Sequence, residues 1–264
     1  MDPISKLGSS FIAPLVQQAG FGMWLSGRTL ALIPHCLKRR RSLLDQMYLT
    51  GFKSAHVVAF VAFFIGMIVA LQIGLKLAQY GQQDSIGMLV AISMAREMGP
   101  FVTAVVLAAS VSSAMAAELG TMKVQDELTA LEVLSIDSVS YLVLPRVIAL
   151  TLMAPILTAV ADVVGILGGG VIAVTQLQVD FPAYLLSVDE VLRDPGLFGL
   201  PQDLYAGLIK SAVFGFTIAI VGCGSGMLAE KGASGVAQTT REAVRTSIIL
   251  IILFNYFLSW ALVA

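Results

Sequence analysis

Arg96 and Glu97 interrupt a mainly apolar and otherwise uncharged run from Ile86 to Ala117. If that run is a helix entering a membrane near Gly87, the pair lies ~15 Å deep. Each charge at that depth costs about 2.5–3.5 kcal/mol. Neighbouring residues on a helix point in different directions, so the two do not neutralise each other, and each needs its own partner or a polar cavity. Two outcomes fit: a structural ion-pair network, or a cavity wall that meets the polar part of a substrate. Two further charges, Asp162 and Lys210, also stand in apolar stretches. Asp162 lies ~24 Å from Arg146 along an ideal helix. Lys210 stands near the start of its stretch, from where a long side chain can snorkel to water. A bridge between them would satisfy both. The four charges could also serve as the relay of an ion-coupled secondary transporter, but such folds carry inverted repeats with paired broken helices, and no such repeat stands out in this sequence.

A second set of candidates lies in a polar stretch, from Glu118 to Asp137 (ELGTMKVQDELTALEVLSID). Val124, Leu128, Leu131 and Leu134 recur there at helical spacing, with Lys123, Asp126, Glu127 and Glu132 interleaved. A short amphipathic helix is marginal alone and needs a surface for its apolar stripe. That surface is the membrane, the protein itself or a docking partner. Cys36, Cys223, His35 and His56 form no CxxC or metal-ligand spacing and are assigned no chemistry.

The elements that must position these residues follow from composition. The chain has 264 residues, 57% hydrophobic and only 12% charged. Its mean hydropathy is +0.87. Soluble domains carry about 25% charged residues, so a soluble fold is excluded for want of surface. The net charge of −1 gives no global basic field for nucleic acid. The expected architecture is all-α, with five membrane helices over 55–75, 86–117, 146–174, 205–228 and 247–264, in one transmembrane domain over 1–264. The second and third are longer than a bilayer needs and must tilt, kink or protrude, with Pro100 and Pro155 as kink points. The stretch 9–37, broken by Pro14, Gly20, Gly22 and Gly27, is either a sixth span or a helix lying in the interface. Spacings of the GxxxG type at Gly165 and Gly169 and at Gly222 and Gly226 point to close helix packing.

Lys and Arg are distributed asymmetrically. Lys38, Arg39, Arg40, Arg41 and Lys53 precede the first span, Lys123 and Arg146 flank the loop after the second, and Lys231, Arg241 and Arg245 precede the fifth. The opposite loops hold none over 79–85, and over 176–204 only Arg193 against Asp180, Asp189, Glu190, Asp194 and Asp203. The positive-inside rule then places the N-terminus in the cytoplasm and the C-terminus outside.

The stretch from Gly87 to Arg146 resembles the MlaE family of permeases. The residues that carry the likeness are Arg96-Glu97-Met98-Gly99-Pro100, Ala117-Glu118-Leu119-Gly120, Met122-Lys123, Glu127-Leu128-Thr129-Ala130-Leu131-Glu132 and Pro145-Arg146, with weaker agreement from about Asp45 to the C-terminus. Asn255 stands where some members have an acid. The resemblance implies the transmembrane subunit of an ATP-binding-cassette transporter that moves phospholipid or a related lipid. It implies a homodimer in the bacterial inner membrane, each subunit with five spans and an N-terminal interfacial helix over 9–37. The region 118–137 would be a cytoplasmic coupling helix, with Glu118, Lys123, Asp126, Glu127, Leu128, Leu131 and Glu132 engaging a separate ATPase. Leu71, Leu75 and Tyr80 would meet acyl chains, and Arg96 and Glu97 head groups. Implied partners are that ATPase, an outer-side MCE-domain protein and a small STAS-domain protein. The chain carries no GxxxxGK[ST] loop. No catalytic residue, metal or cofactor is therefore expected in it, ATP and magnesium belonging to the partner.

Overall fold

The computed structural model describes residues 13–33, 40–192, 201–230 and 232–263, with the side chains of 13–19, 192 and 263 not described. The described residues are helical, with no strand among them. The helices are α1 (Ala13–Leu32), α2 (Arg40–Met47), α3 (Lys53–Tyr80), α4 (Ile86–Ser93), α5 (Gly99–Leu107), α6 (Ser113–Val124), α7 (Glu127–Val133), α8 (Leu144–Leu177), α9 (Phe181–Leu192), α10 (Gln202–Met227) and α11 (Gly232–Val263). Wider π-helical turns join some of them without a break, at Tyr48–Phe52, Met94–Met98, Ala108–Ser112 and Val139–Val143. Joined in this way, the described residues form five helices long and apolar enough to cross a membrane: Arg40–Tyr80, Gln83–Val124, Val139–Leu177, Gln202–Met227 and Gly232–Leu262. Each exceeds the ~20 residues a bilayer demands. Part of the stretch 9–37, and Lys38, Arg39, Arg193, Asp194 and Lys231, lie outside the described residues.

The chain falls into two compact units. One comprises Tyr48–Leu107, Thr151–Gly215 and Ile251–Ala264. Its core gathers Ala70, Ile86, Val90, Met94, Ala173, Leu177, Tyr184 and Val188. The face of α3 turned inward is small at every fourth residue, Ala62, Gly66, Ala70 and Gly74, all buried. Small residues let helix backbones approach. A Cβ on Gly66 would collide with the carbonyl of Gly165. The opposite face of α3 exposes the apolar side chains Phe60, Phe64, Ile68, Leu71 and Leu75, with Gln72 and Lys76 exposed toward its C-terminal end. Tyr184 of α9 is buried, and its hydroxyl donates to the Ile166 carbonyl at 2.8 Å. That bond satisfies a phenol the core otherwise leaves dry.

The other unit comprises Met1–Met47, Ala108–Leu150 and Phe216–Leu250. Gly222 packs on Ser112, and Gly226 on Ala116 and Leu119. Ser112 and Ser247 share a buried hydrogen bond of 3.2 Å. The stretch 118–137 is not one helix. Glu118 to Val124 completes α6, Asp126 turns the chain with φ 60°, and α7 then runs for seven residues. Ser135, at φ 58°, ends α7: its N–H donates to the Glu132 carbonyl and that of Ile136 to the Leu131 carbonyl, each at 2.9 Å. This is the Schellman pattern, with a serine in the left-handed position that glycine usually takes.

Candidate functional site

The charged pair of the second apolar helix sits on the π-helical turn Met94–Met98, which the Gly99 N–H closes by bonding the Met94 carbonyl. A π turn widens the helix and rotates the residues it carries, and such turns occur frequently at functional sites. Pro100 follows and brings no N–H, so the Arg96 carbonyl lacks its donor one turn on. Lys210 of α10 fills that gap, its Nζ donating to the Arg96 carbonyl at 3.0 Å.

Arg96 and Glu97 diverge and find separate partners. Arg96 Nε donates to Asp203 Oδ1 at 2.7 Å, and Nη2 bonds the same oxygen. Glu97 Oε1 accepts from Lys210 Nζ at 2.6 Å and from Ser259 Oγ at 2.8 Å, while Oε2 accepts from Asn255 Nδ2 at 3.1 Å. Lys210 also donates to Ser259 Oγ at 2.8 Å. Asp203 and Lys210 stand seven residues apart on α10, two turns along one face. Asn255 and Ser259 are one turn apart on α11. The cluster joins two cations, Arg96 and Lys210, to two anions, Glu97 and Asp203. Its net charge is zero, which lowers the cost of placing it in an apolar region.

Exposure is graded across the cluster. Lys210 is fully buried at 0%, whereas the side chains of Arg96 and Glu97 keep 35% and 32% of their surface open. The inner charges hold the outer ones, and the outer ones keep donor and acceptor capacity for something else. Lys210 therefore does not snorkel, and its partner is Glu97 rather than Asp162: a bridge between Lys210 and Asp162 is not made. Asp162 is buried instead, and neither of its carboxyl oxygens has a hydrogen-bond partner. Sequence reasoning counted Asp203 only as a loop acid and gave Ser259 no role. The available signals were the seven-residue spacing of Asp203 and Lys210, and the four-residue spacing of Asn255 and Ser259 in an apolar helix.

The remaining candidates lie elsewhere. Leu71, Leu75 and Tyr80 are exposed along the outer face of α3 and its end. In the other unit, Arg146 is buried and donates to Glu118 Oε2 at 2.9 Å, leaving Glu118 more than half exposed. Lys123, Asp126, Glu127 and Glu132 are exposed, Leu131 is half-buried and Leu128 is buried. The expected stripe of Val124, Leu128, Leu131 and Leu134 is thus partly covered, but Leu134 is exposed beside Val133, which is 80% open. Two breaks limit the stripe: the turn at Asp126 separates Val124 from the others, and α7 ends at Val133, so Leu134 falls at its cap, just before the left-handed Ser135. Arg28 of α1 pairs with Asp137 at 3.0 Å and lies over the Trp24 ring. Among the described residues, no group of three or more His, Cys, Asp or Glu is placed to hold a metal.

Five long apolar helices, with a neutral charge network inside one unit, define a multi-pass membrane protein. The family described as Permease MlaE matches residues 43–261, and the chain belongs to that family. It is 40% identical over 237 residues to a probable ABC transporter permease protein of Synechocystis, covering 90% of this chain and 88% of that protein. A probable ABC transporter permease protein of Rickettsia bellii is 39% identical over 217 residues, 82% of this chain and 81% of that one. The chloroplast protein trigalactosyldiacylglycerol 1 of Arabidopsis thaliana is 34% identical over 219 residues, 83% of this chain and 61% of that one. The chain is an ABC transporter permease subunit, of a family that works with an ATPase.

Proposed function

We propose that this permease moves phospholipid or a related lipid between the bacterial inner membrane and an outer-side MCE-domain protein, as a homodimer driven by a separate cytoplasmic ATPase that binds the ATP and magnesium. The observation that carries this reading is the half-open pair Arg96 and Glu97, held by the buried Lys210 and the half-buried Asp203. A zwitterionic or anionic head group needs a cation and an acceptor fixed side by side, and its acyl chains need an apolar wall. Leu71, Leu75 and Tyr80 offer exposed apolar surface of that kind. The name of the Arabidopsis relative contains that of a glycolipid, which supports a lipid substrate.

The exposed charges Lys123, Asp126, Glu127 and Glu132, with the Glu118 carboxylate steadied by Arg146 and with Leu128 and Leu131 anchoring α7, form the coupling surface. ATP binding to the partner pushes on this surface and squeezes the lipid from the dimer. The basic loops face the cytoplasm together with the N-terminus, the C-terminus faces the periplasm, and α1 lies in the interface. A small STAS-domain protein accompanies the ATPase.

The test is co-purification followed by reconstitution with the ATPase in liposomes, measuring lipid transfer and lipid-stimulated ATP hydrolysis. Arg96→Ala and Glu97→Ala each abolish lipid stimulation while the complex still assembles. Wild-type transfer by both variants, or a chain that never associates with an ATPase, overturns the proposal.

A further inference from the structure

The helices Gln83–Val124 and Val139–Leu177 run antiparallel where they pack in one unit. A Cβ on Gly169 would press on Val90, one on Gly165 would strike the Met94 side chain, and one on Gly99 would collide with Asp162 Oδ1. The facing positions are therefore 90 with 169, 94 with 165 and 99 with 162. One turn further, the same register sets Thr103, four residues after Gly99, across from Thr158, four residues before Asp162.

All three polar side chains at this place are sealed from solvent, Asp162 at 3%, Thr103 at 1% and Thr158 at 0% exposure. Both carboxyl oxygens and both hydroxyl oxygens lack a hydrogen-bond partner. Buried polar groups are paired almost everywhere in folded proteins, so four orphan oxygens on adjacent turns of two facing helices require a cause. The nearby cations are engaged: Arg96 bonds Asp203, and Lys210 bonds Glu97. A buried carboxylate left without counter-charge costs several kcal/mol. The carboxylate lacks a counter-charge, and the two hydroxyls, whose oxygens can also ligate a cation, lack any polar partner.

We propose that Thr103, Thr158 and Asp162 form a buried site for a single positive charge, carried either by a proton on the carboxyl or by a small alkali cation among the four oxygens. Gly99 makes the site possible, because only a residue without a side chain leaves room for the carboxyl against the second apolar helix. Gly99 also closes the π turn that bears Arg96 and Glu97. Filling the site lets the two helices pack at the point where that turn ends. The inference does not depend on the lipid reading, since it concerns the chain in any assembly.

Infrared spectroscopy and thermal unfolding of the full-length protein in detergent test it together. If a proton occupies the site, the spectrum contains the carbonyl band of a neutral carboxylic acid, which shifts in heavy water and disappears in Asp162→Asn. If an alkali cation occupies it, that band is absent, and sodium chloride raises the unfolding midpoint above choline chloride at equal ionic strength. That rise is then lost in Asp162→Asn. Should Asp162→Asn not fold, Thr103→Val removes one of the four oxygens and moves the band or abolishes the sodium effect. The absence of both the band and the sodium effect from the wild type overturns the site, as does a Thr103→Val variant identical to wild type in both.

Discussion

Replacing Lys210 by methionine removes a fully buried ammonium while keeping most of its length and apolar stem. Three hydrogen bonds are lost, to Glu97 Oε1, the Arg96 carbonyl and Ser259 Oγ. Glu97 keeps only Ser259 and Asn255, and its charge has no counter-ion. Removing one partner of a buried ion pair costs ~3–5 kcal/mol. The Glu97 side chain is about a third open, which lets water or head groups screen it and favours the low end, ~3 kcal/mol. The cost of an unpaired charge deep in a bilayer, about 2.5–3.5 kcal/mol, leads to the same figure independently. At roughly 2–4 °C per kcal/mol for a chain of this size, the unfolding midpoint of Lys210→Met falls by ~6–12 °C. Adding Glu97→Gln removes the stranded charge, so the double variant recovers at least ~1 kcal/mol of the loss, a coupling expected of groups in direct contact. The assay is thermal unfolding of the four proteins of this cycle in one detergent. An unchanged midpoint for Lys210→Met, or a double variant whose loss is the sum of the single losses, refutes the reasoning.

Gly66→Ala forces a methyl group against the Gly165 carbonyl and lowers the unfolding midpoint, by an overpacking cost of ~1–3 kcal/mol. Gly22→Ala meets no atom within 4 Å and leaves the midpoint unchanged or slightly raised, since it also adds helix propensity. Val133→Ser with Leu134→Ser alters two exposed residues, so stability stays within about 0.5 kcal/mol while ATPase binding in a pull-down weakens. Leu128→Ala opens the buried anchor of α7 and costs ~2–3 kcal/mol by thermal unfolding.

The five long helices were legible because their signal is one-dimensional: a run of apolar residues longer than ~20 speaks without reference to any other part of the chain. Their true lengths were not. The first apolar helix reaches back to Arg40, because Arg40, Arg41 and Asp45 extend it in a polar medium where hydropathy is silent. Nor do π-helical turns leave a compositional mark, since a single extra residue in a turn changes no residue type. The break at Asp126 was hidden for a similar reason. Left-handed backbone is announced by glycine, and here an aspartate and, at 135, a serine adopt it.

The charge network shows where one-dimensional reasoning stops. Arg96 and Glu97 were visible as an expense that something must offset, but the sequence does not say which distant charges offset it. Asp203 and Lys210 lie more than a hundred residues away, and only the packing of α10 against the π turn selects them. What the fold adds is the division of roles. Because Lys210 is sealed and Asp203 mostly so, the network stays neutral whatever approaches its open side. A ligand that touches Arg96 and Glu97 therefore meets two fixed, opposite charges and not a net field. Such a pair favours a ligand that carries both signs over one that carries a single excess charge. Competition between lipids of zwitterionic and purely anionic head groups for the same lipid-stimulated ATP hydrolysis measures this preference directly. The geometry requires the zwitterionic head group to win in the wild type, and that advantage to vanish in Asp203→Asn, where Arg96 loses its neutralising partner.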